Sequence, residues 1–489
     1  MTTNVPGMVR AGAVALVAAG LAVGATRVSG SVQLATPGGQ AGLPESSTVL
    51  LDESSLVCPG QQRLGATGLR DVEGTVTVAA ATPDQGVVAG APAGGSGTVA
   101  LLGGSSSTGL AQSSDRGAEV SAGTAAPDVV IARARGAFAP GLVATQVWRH
   151  GGDDDRGLTV TPCQLPSSDV WLVGGGGGPS RTERVIVSNP GANAVSVSLE
   201  VLGRGGPVDA AGARSISIPP LSREVVSLDA LAPDEAGPVV HVTATGGVVS
   251  AVLDEQWILG ATGRGIDDAT RAASPSTDLV VPGVETGGGI SLRLANPGST
   301  EALAQVRLLT DKGAVQPEDL RAVRVPAGST LDVAIPSNPA ALGVGVRSDQ
   351  PLVAAAWTER RATTGDQMGD FAWTPATPAL RGVAGVLLPG LDGTTKRLLL
   401  TAGSAPATAQ VRLGSGDSAQ VSTVDVPAAS TVAVDAKDAK GVWVVPTKGT
   451  LRGAVSVAGI DGGVPFFSVA SLSDAPVRAL SVPVRQVRN

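Results

Sequence analysis

The chain has 489 residues, room for roughly three to five ordinary domains, and a formal net charge of −7. That charge is mild and spread out, with no basic stripe, which excludes nucleic acid as the expected partner. Charged residues make up only 16% and aromatics 2%, with no tyrosine; with 67 glycines and 34 prolines, this composition favours many short strands and turns.

Taken in chain order, the first element is apolar. Residues Ala11 to Thr26 carry no charge and follow Arg10. The run suits the core of a signal peptide and is short for a bilayer of about 30 Å, which needs roughly 20 residues. Val23 and Ala25 give a small-x-small cleavage pattern, whereas Met8, Val9, Val28 and Ser29 could extend the segment into an uncleaved anchor. Residues 1–29 are therefore expected to form a hydrophobic helix, either a signal peptide or a single-pass membrane anchor. Both readings place the rest of the chain outside the cytoplasm and limit membrane contact to this segment. Residues 30–47, polar and rich in Pro and Gly, read as a flexible stalk.

A phrase then recurs. It reads Leu56-Val57-Cys58-Pro59-Gly60, Leu279-Val280-Val281-Pro282-Gly283 and Val386-Leu387-Leu388-Pro389-Gly390, with a degenerate copy at Val170 to Gly174. The starts at Pro59, Val173, Pro282 and Pro389 lie 114, 109 and 107 residues apart, a domain-sized period. Four β-modules are expected, over 48–166, 167–277, 278–382 and 383–489. Segments such as Ala194 to Leu202 alternate apolar and polar residues and end in turn residues, the pattern of a half-buried antiparallel strand. About seven strands per module suit an immunoglobulin-like sandwich, so the fold class is all-β with tandem sandwiches. The alternative is a β-propeller in which each repeat supplies two blades. Within the first module, 81–127 is the loosest stretch, although Thr98 to Leu102 could pair as a strand.

The chain has two cysteines, Cys58 at the start of the first module and Cys163 at its end. In an exported protein this placement favours a disulfide stapling the module, over two separate buried thiols. The chemistry-bearing residues are few. His150 and His241 fall in different repeats, and Gly414-Ser415-Gly416-Asp417-Ser418 lacks the strand-turn-helix setting of a hydrolase nucleophile. The run Gly174 to Gly178 lacks the Lys and the following helix of a phosphate loop, so it reads as a flexible hairpin. No catalytic residue and no cofactor is expected. Acidic residues follow the closing strand of each module: Asp153, Asp154 and Asp155, then Asp267 and Asp268, then Asp366 and Asp370, then Asp461. They read as solvated loop tips, with calcium on Asp153, Asp154 and Asp155 as the metal alternative. Trp148, Trp257 and Trp357 occupy equivalent repeat positions and read as core packing, or as platforms for ligand stacking.

The short hydrophobic N-terminus, Cys-Pro-Gly near residue 58, a second cysteine before the next module and the repeated Asn-Pro-Gly at 189–191 and 296–298 resemble one family as a set. It is the actinobacterial family of exported proteins labelled domain of unknown function 5719. The resemblance implies export and supplies no reaction, cofactor or catalytic residue. The functional expectation is a non-catalytic cell-envelope scaffold or interaction surface whose partner is an unknown envelope protein or polymer. An envelope glycan-binding protein is the alternative, and an enzyme accessory or cryptic hydrolase a third.

Overall fold

Strands with one buried face alternate as the sequence predicts. Val195–Gly203 turns Val195, Val197, Leu199 and Val201 inward and leaves Ser196 and Glu200 in solvent. The structure, a computed structural model, describes residues 47–61, 74–91, 94–104, 108–126, 128–152, 155–210, 212–285, 289–365 and 367–481. The fold is all-β: the described residues hold many antiparallel sheets and a single short α-helix, Leu228–Leu231, capped by the Ser227 side chain. The expected N-terminal helix and the stalk as far as residue 46 lie outside the described residues. No described helix is long and apolar enough to cross a membrane.

Each module contains two sheets and eight strand positions, one more than expected. In the first module, Glu53–Cys58, Val130–Gly136, Gly97–Gly103 and Thr108–Ser113 are neighbours in one sheet. Val120–Thr124, Val76–Ala81, Val143–Gly151 and Arg156–Pro162 make the other. By chain position the orders are first-sixth-third-fourth and fifth-second-seventh-eighth, and the remaining modules repeat both. In the third module Ala341–Arg361 runs unbroken through the sixth and seventh positions and fuses the two sheets into one. A propeller blade is a meander of chain-consecutive strands, whereas here successive strands cross between sheets, and among the described residues no propeller closure is found. The stretch 81–127 supplies the third, fourth and fifth strands of its module, including Gly97–Gly103 over the apolar run singled out above.

The modules do not close their cores alone. The first core, around Cys58, Leu101, Leu142 and Trp148, includes Ile266 of the second module. The second includes Phe371 and Trp373 of the third, and the fourth includes Val147, Leu158 and Val160 of the first. Between the third and fourth, Ala372, Ala454, Phe467 and Val469 form a further cluster. Fully burying one such side chain contributes about 1.5–3 kcal/mol, so each seam weighs as much as part of a core. The Pro-Gly phrase marks these seams. Arg223 of the second module donates to the Pro59 carbonyl at 2.6 Å, and Arg293 of the third donates to Gly174 and Gly175 carbonyls at 2.9 and 2.8 Å. A Cβ on Gly283 would lie 2.9 Å from Ala454 Cβ of the fourth module, and the Leu387 amide donates to Thr145 Oγ1 of the first at 3.0 Å.

The eighth strands, Arg156–Pro162, Thr262–Ala269, Gly369–Pro375 and Val464–Ser471, pack side by side in a cycle, first on second, second on third, third on fourth and fourth on first. Their approach is close. A Cβ on Gly157 would sit 2.9 Å from the Ile266 nitrogen, and one on Gly265 would sit 2.7 Å from Asp370 Cα. Asp370 is fully buried there. Its Oδ2 accepts the amides of Leu158 (2.9 Å) and Phe467 (3.0 Å), Oδ1 accepts that of Phe371 (3.0 Å), and the Ile266 amide also bonds the carboxylate. One carboxylate thus joins all four modules. Asp267 accepts the Trp373 amide at 2.7 Å, and Asp268 accepts the Thr161 hydroxyl at 2.6 Å. Burial pushes Asp267 and Asp370 well above the usual carboxylate range, and the amide donors pull them back.

These positions correct the expectation of solvated loop tips, since Asp267, Asp268 and Asp370 are buried within strands. Asp461 alone of the described acidic tips is exposed, and Asp366 lies outside the described residues. Asp370→Ala strands up to four buried amides at about 1–3 kcal/mol each, so a loss of roughly 4 kcal/mol or more is expected in denaturant unfolding. A loss below about 1 kcal/mol would mean that these bonds do not hold the axis.

Candidate functional site

The residues picked out in the sequence separate in the structure. Cys58 and Cys163 form a disulfide closing a span of 105 residues, for which chain entropy predicts about 4–5 kcal/mol of stabilisation. Trp148 is fully buried in the first core and cannot serve as a ligand platform. Trp257 and Trp357 are half-buried and lie 6.0 Å apart, centroid to centroid. Asp153 and Asp154 lie outside the described residues. Asp155 Oδ1 accepts from Gln256 Nε2 of the second module at 2.8 Å, and its carbonyl lies 2.7 Å from His150 Nδ1. Among the described residues no group of acidic, His or Cys side chains is arranged to hold a metal ion.

His241 stacks on Trp171, ring centroids 4.0 Å apart and planes 7° from parallel, because the two are register partners on adjacent strands. Asp169 and Glu200 flank its ring nitrogens at 3.3 and 3.4 Å. The five-glycine run is held from within rather than left as a flexible hairpin. The Gly175 amide donates to Glu255, and those of Gly176 and Gly177 to Glu183 at 2.5 and 2.7 Å. Glu255 also accepts Trp373 Nε1 at 2.7 Å and pairs with Arg181. The loop's anion-binding amides are occupied by the protein's own carboxylates, and burial raises the pKa of Glu183 against those bonds.

An open site lies on the seam between the fourth and first modules. It is a cleft of about 650 Å³. Ala81, Leu387, Leu413 and Trp443 provide apolar surface, and Glu119, Asp435, Lys437, Asp438 and Lys440 provide charge. Trp443 is 3% exposed and, with Leu387 of its own module, packs against Ala79, Val88 and Val143 across the seam. Gly385 leaves room for its ring, since a Cβ there would lie 2.8 Å from Trp443 Cε3. Asp84 of the first module fixes one wall by accepting the Gly416 amide at 2.8 Å and pairing with Arg412. The Gly-Ser-Gly-Asp-Ser segment is thus a seam contact, with a 3₁₀ turn at Gly416–Ser418. Glu119 stands exposed at the rim; partial desolvation raises its pKa and Lys440 lowers it, an effect solvent screens. Apolar surface beside convergent charges fits binding of a polar ligand with an apolar side.

A second cavity of about 480 Å³ opens where the connections between modules converge, lined in part by Gln164, Asp169, Arg271, Thr377 and Asp474. Sequence reasoning missed both cavities because their walls come from residues hundreds of positions apart.

The family model for DUF5719, described as a family of unknown function, matches residues 117–437, about two thirds of the chain. The chain belongs to DUF5719. No curated protein matches it. The DUF5719 match runs from the fifth strand of the first module to the fifth-to-sixth connection of the fourth, so it spans three of the four seams. Of the cleft lining, Glu119, Leu413, Asp435 and Lys437 fall within it, whereas Ala81, Asp438, Lys440 and Trp443 lie outside.

In this DUF5719 chain, Asp84→Ala should release the 414–418 wall of the cleft. Hydrogen exchange is expected to accelerate at the Gly416 amide by about tenfold or more, with the axial strands unchanged. Unchanged Gly416 exchange would show that Asp84 does not fix the wall.

Proposed function

We propose that this DUF5719 protein is a non-catalytic, exported cell-envelope protein that acts as a rigid platform for another envelope component. The observation that carries the reading is the interlocking of four modules through shared cores and the Asp370 carboxylate. Such a body keeps surfaces on different modules in fixed relation, which suits presentation to a large partner. The Cys58–Cys163 bridge supports export, since such bonds persist in oxidising compartments. Each module reads as a variant of the immunoglobulin-like sandwich. Its second and fifth strands pair on one sheet and its third and sixth on the other, while the first, fourth and seventh strands lie on the sheets opposite to those of the constant-type arrangement.

The reading predicts the state of the thiols in the producing cell. Maleimide applied to intact cells, or to cells lysed under denaturing conditions, should label neither Cys58 nor Cys163 until a reductant is added. Protease added outside cells stripped of their wall should reach the chain. A reduced, readily labelled and protease-shielded cytosolic pool would contradict export.

A further inference from the structure

The hairpins between seventh and eighth strands lie at the end of the axis away from the intermodule connections. In the second and third modules this end carries an aromatic cluster, in which Trp257 and Trp357 each meet Phe371 at 6.4 Å. Three guanidinium groups gather on the Trp257 ring: Arg181 at 4.3 Å, Arg361 at 5.6 Å and Arg264 at 5.7 Å from its centroid. Trp257 therefore acts less as an open stacking surface than as a plate that orients cations.

The arginines of this cluster are not bonded alike. Arg181 pairs with Glu255, and Arg361 with Glu359, where Nη2 lies 2.6 Å from the carboxylate. Among the described residues Arg264 makes no ion pair with a carboxylate. Its Nη1 donates to the Gln367 carbonyl at 2.9 Å, and its Nε is buried without an acceptor. The residue is only 7% exposed, whereas the neighbouring Arg361 side chain is 40% exposed and opens the cluster to solvent. Trp357 Nε1 is a second buried donor without an acceptor. Burial lowers the Arg264 pKa, the like charge of Arg361 lowers it further, and Glu359 opposes both. The cluster thus holds one guanidinium bonded only to a carbonyl, together with two orphan donors, near the surface. An oxyanion is the complementary group, since a planar guanidinium can bond carboxylate or phosphate oxygens in pairs.

We propose that Arg264 and Arg361, held against Trp257 with Trp357 beside them, bind a carboxylate or phosphate group of an acidic envelope polymer. The polymer source rests on the envelope reading above; the oxyanion chemistry does not. Isothermal titration of the purified full chain tests it with three probes: a galacturonate oligomer, a glycerol-phosphate oligomer and neutral dextran. Binding of one or both acidic oligomers and not of dextran is expected, weakening as salt is raised. The preferred oligomer distinguishes carboxylate from phosphate as the source. Arg264→Gln should weaken that binding about tenfold or more while the protein still melts in one transition within a few degrees of the wild type, because the side chain holds only one hydrogen bond. Trp357→Phe, which removes one donor and keeps the ring packing, should weaken it by a smaller factor. Equal affinity in wild type and Arg264→Gln, or no acidic probe binding better than dextran, overturns the proposal. Failure of these titrations with an exported protein would sink this site alone, whereas oligomer binding by a chain found only in the cytosol would sink the envelope reading alone.

Discussion

The side chain of Asp370 accepts backbone amides from all four modules, and much of the architecture follows from making that geometry reachable. Four strands must approach one carboxylate closely enough for each to present an N–H. Side chains have little room between them, so Gly157 and Gly265 stand where a Cβ would strike the neighbouring backbone. Burying a carboxylate is costly unless its oxygens are bonded, and here the donors are backbone groups already constrained by their own ladders. The arrangement satisfies the carboxylate and the outward amides of edge strands at once. Unpaired edges are otherwise a route to aggregation.

The interlocked cores follow from the same geometry. With their eighth strands at a common axis, neighbouring modules press the face of one sheet against the open end of the next core. Ile266, Phe371 with Trp373, and Val147 with Leu158 and Val160 fill those ends. The Pro-Gly phrase terminates the first strand of each module where it meets its neighbour, so its recurrence reflects a recurring joint as well as a recurring turn. The polar contacts at the joints differ from seam to seam, with arginine at the first two and a threonine hydroxyl at the last. That asymmetry leaves the cleft on the fourth-to-first seam and the arginine cluster on the second and third modules.

The all-β character and the period of the modules were legible because strands with one wet face alternate. The eighth strands were not, because they are covered on both faces. Sequences such as Gly265-Ile266-Asp267-Asp268 lose alternation and carry residues that ordinarily mark turns. A usable signal was present in the paired Arg156-Gly157-Leu158 and Arg264-Gly265-Ile266, which recur at the module period. The equivalent tryptophans differ for a similar reason: neighbours decide burial, so Trp148 is enclosed while Trp257 meets arginines from two modules. The Gly174 to Gly178 run read as a flexible hairpin, whereas the protein's own Glu183 and Glu255 hold its amides. Neither the cleft nor the lone Arg264 could be read from spacing, since both depend on which modules touch.

The account's central claim is that residues 50–479 behave as one cooperative body rather than as four sandwiches on a string. Scanning calorimetry of the intact, oxidised chain tests this most directly. The account predicts a single transition whose calorimetric enthalpy matches its van't Hoff enthalpy. Several resolved transitions, each with the enthalpy of a domain of about 100 residues, would contradict it.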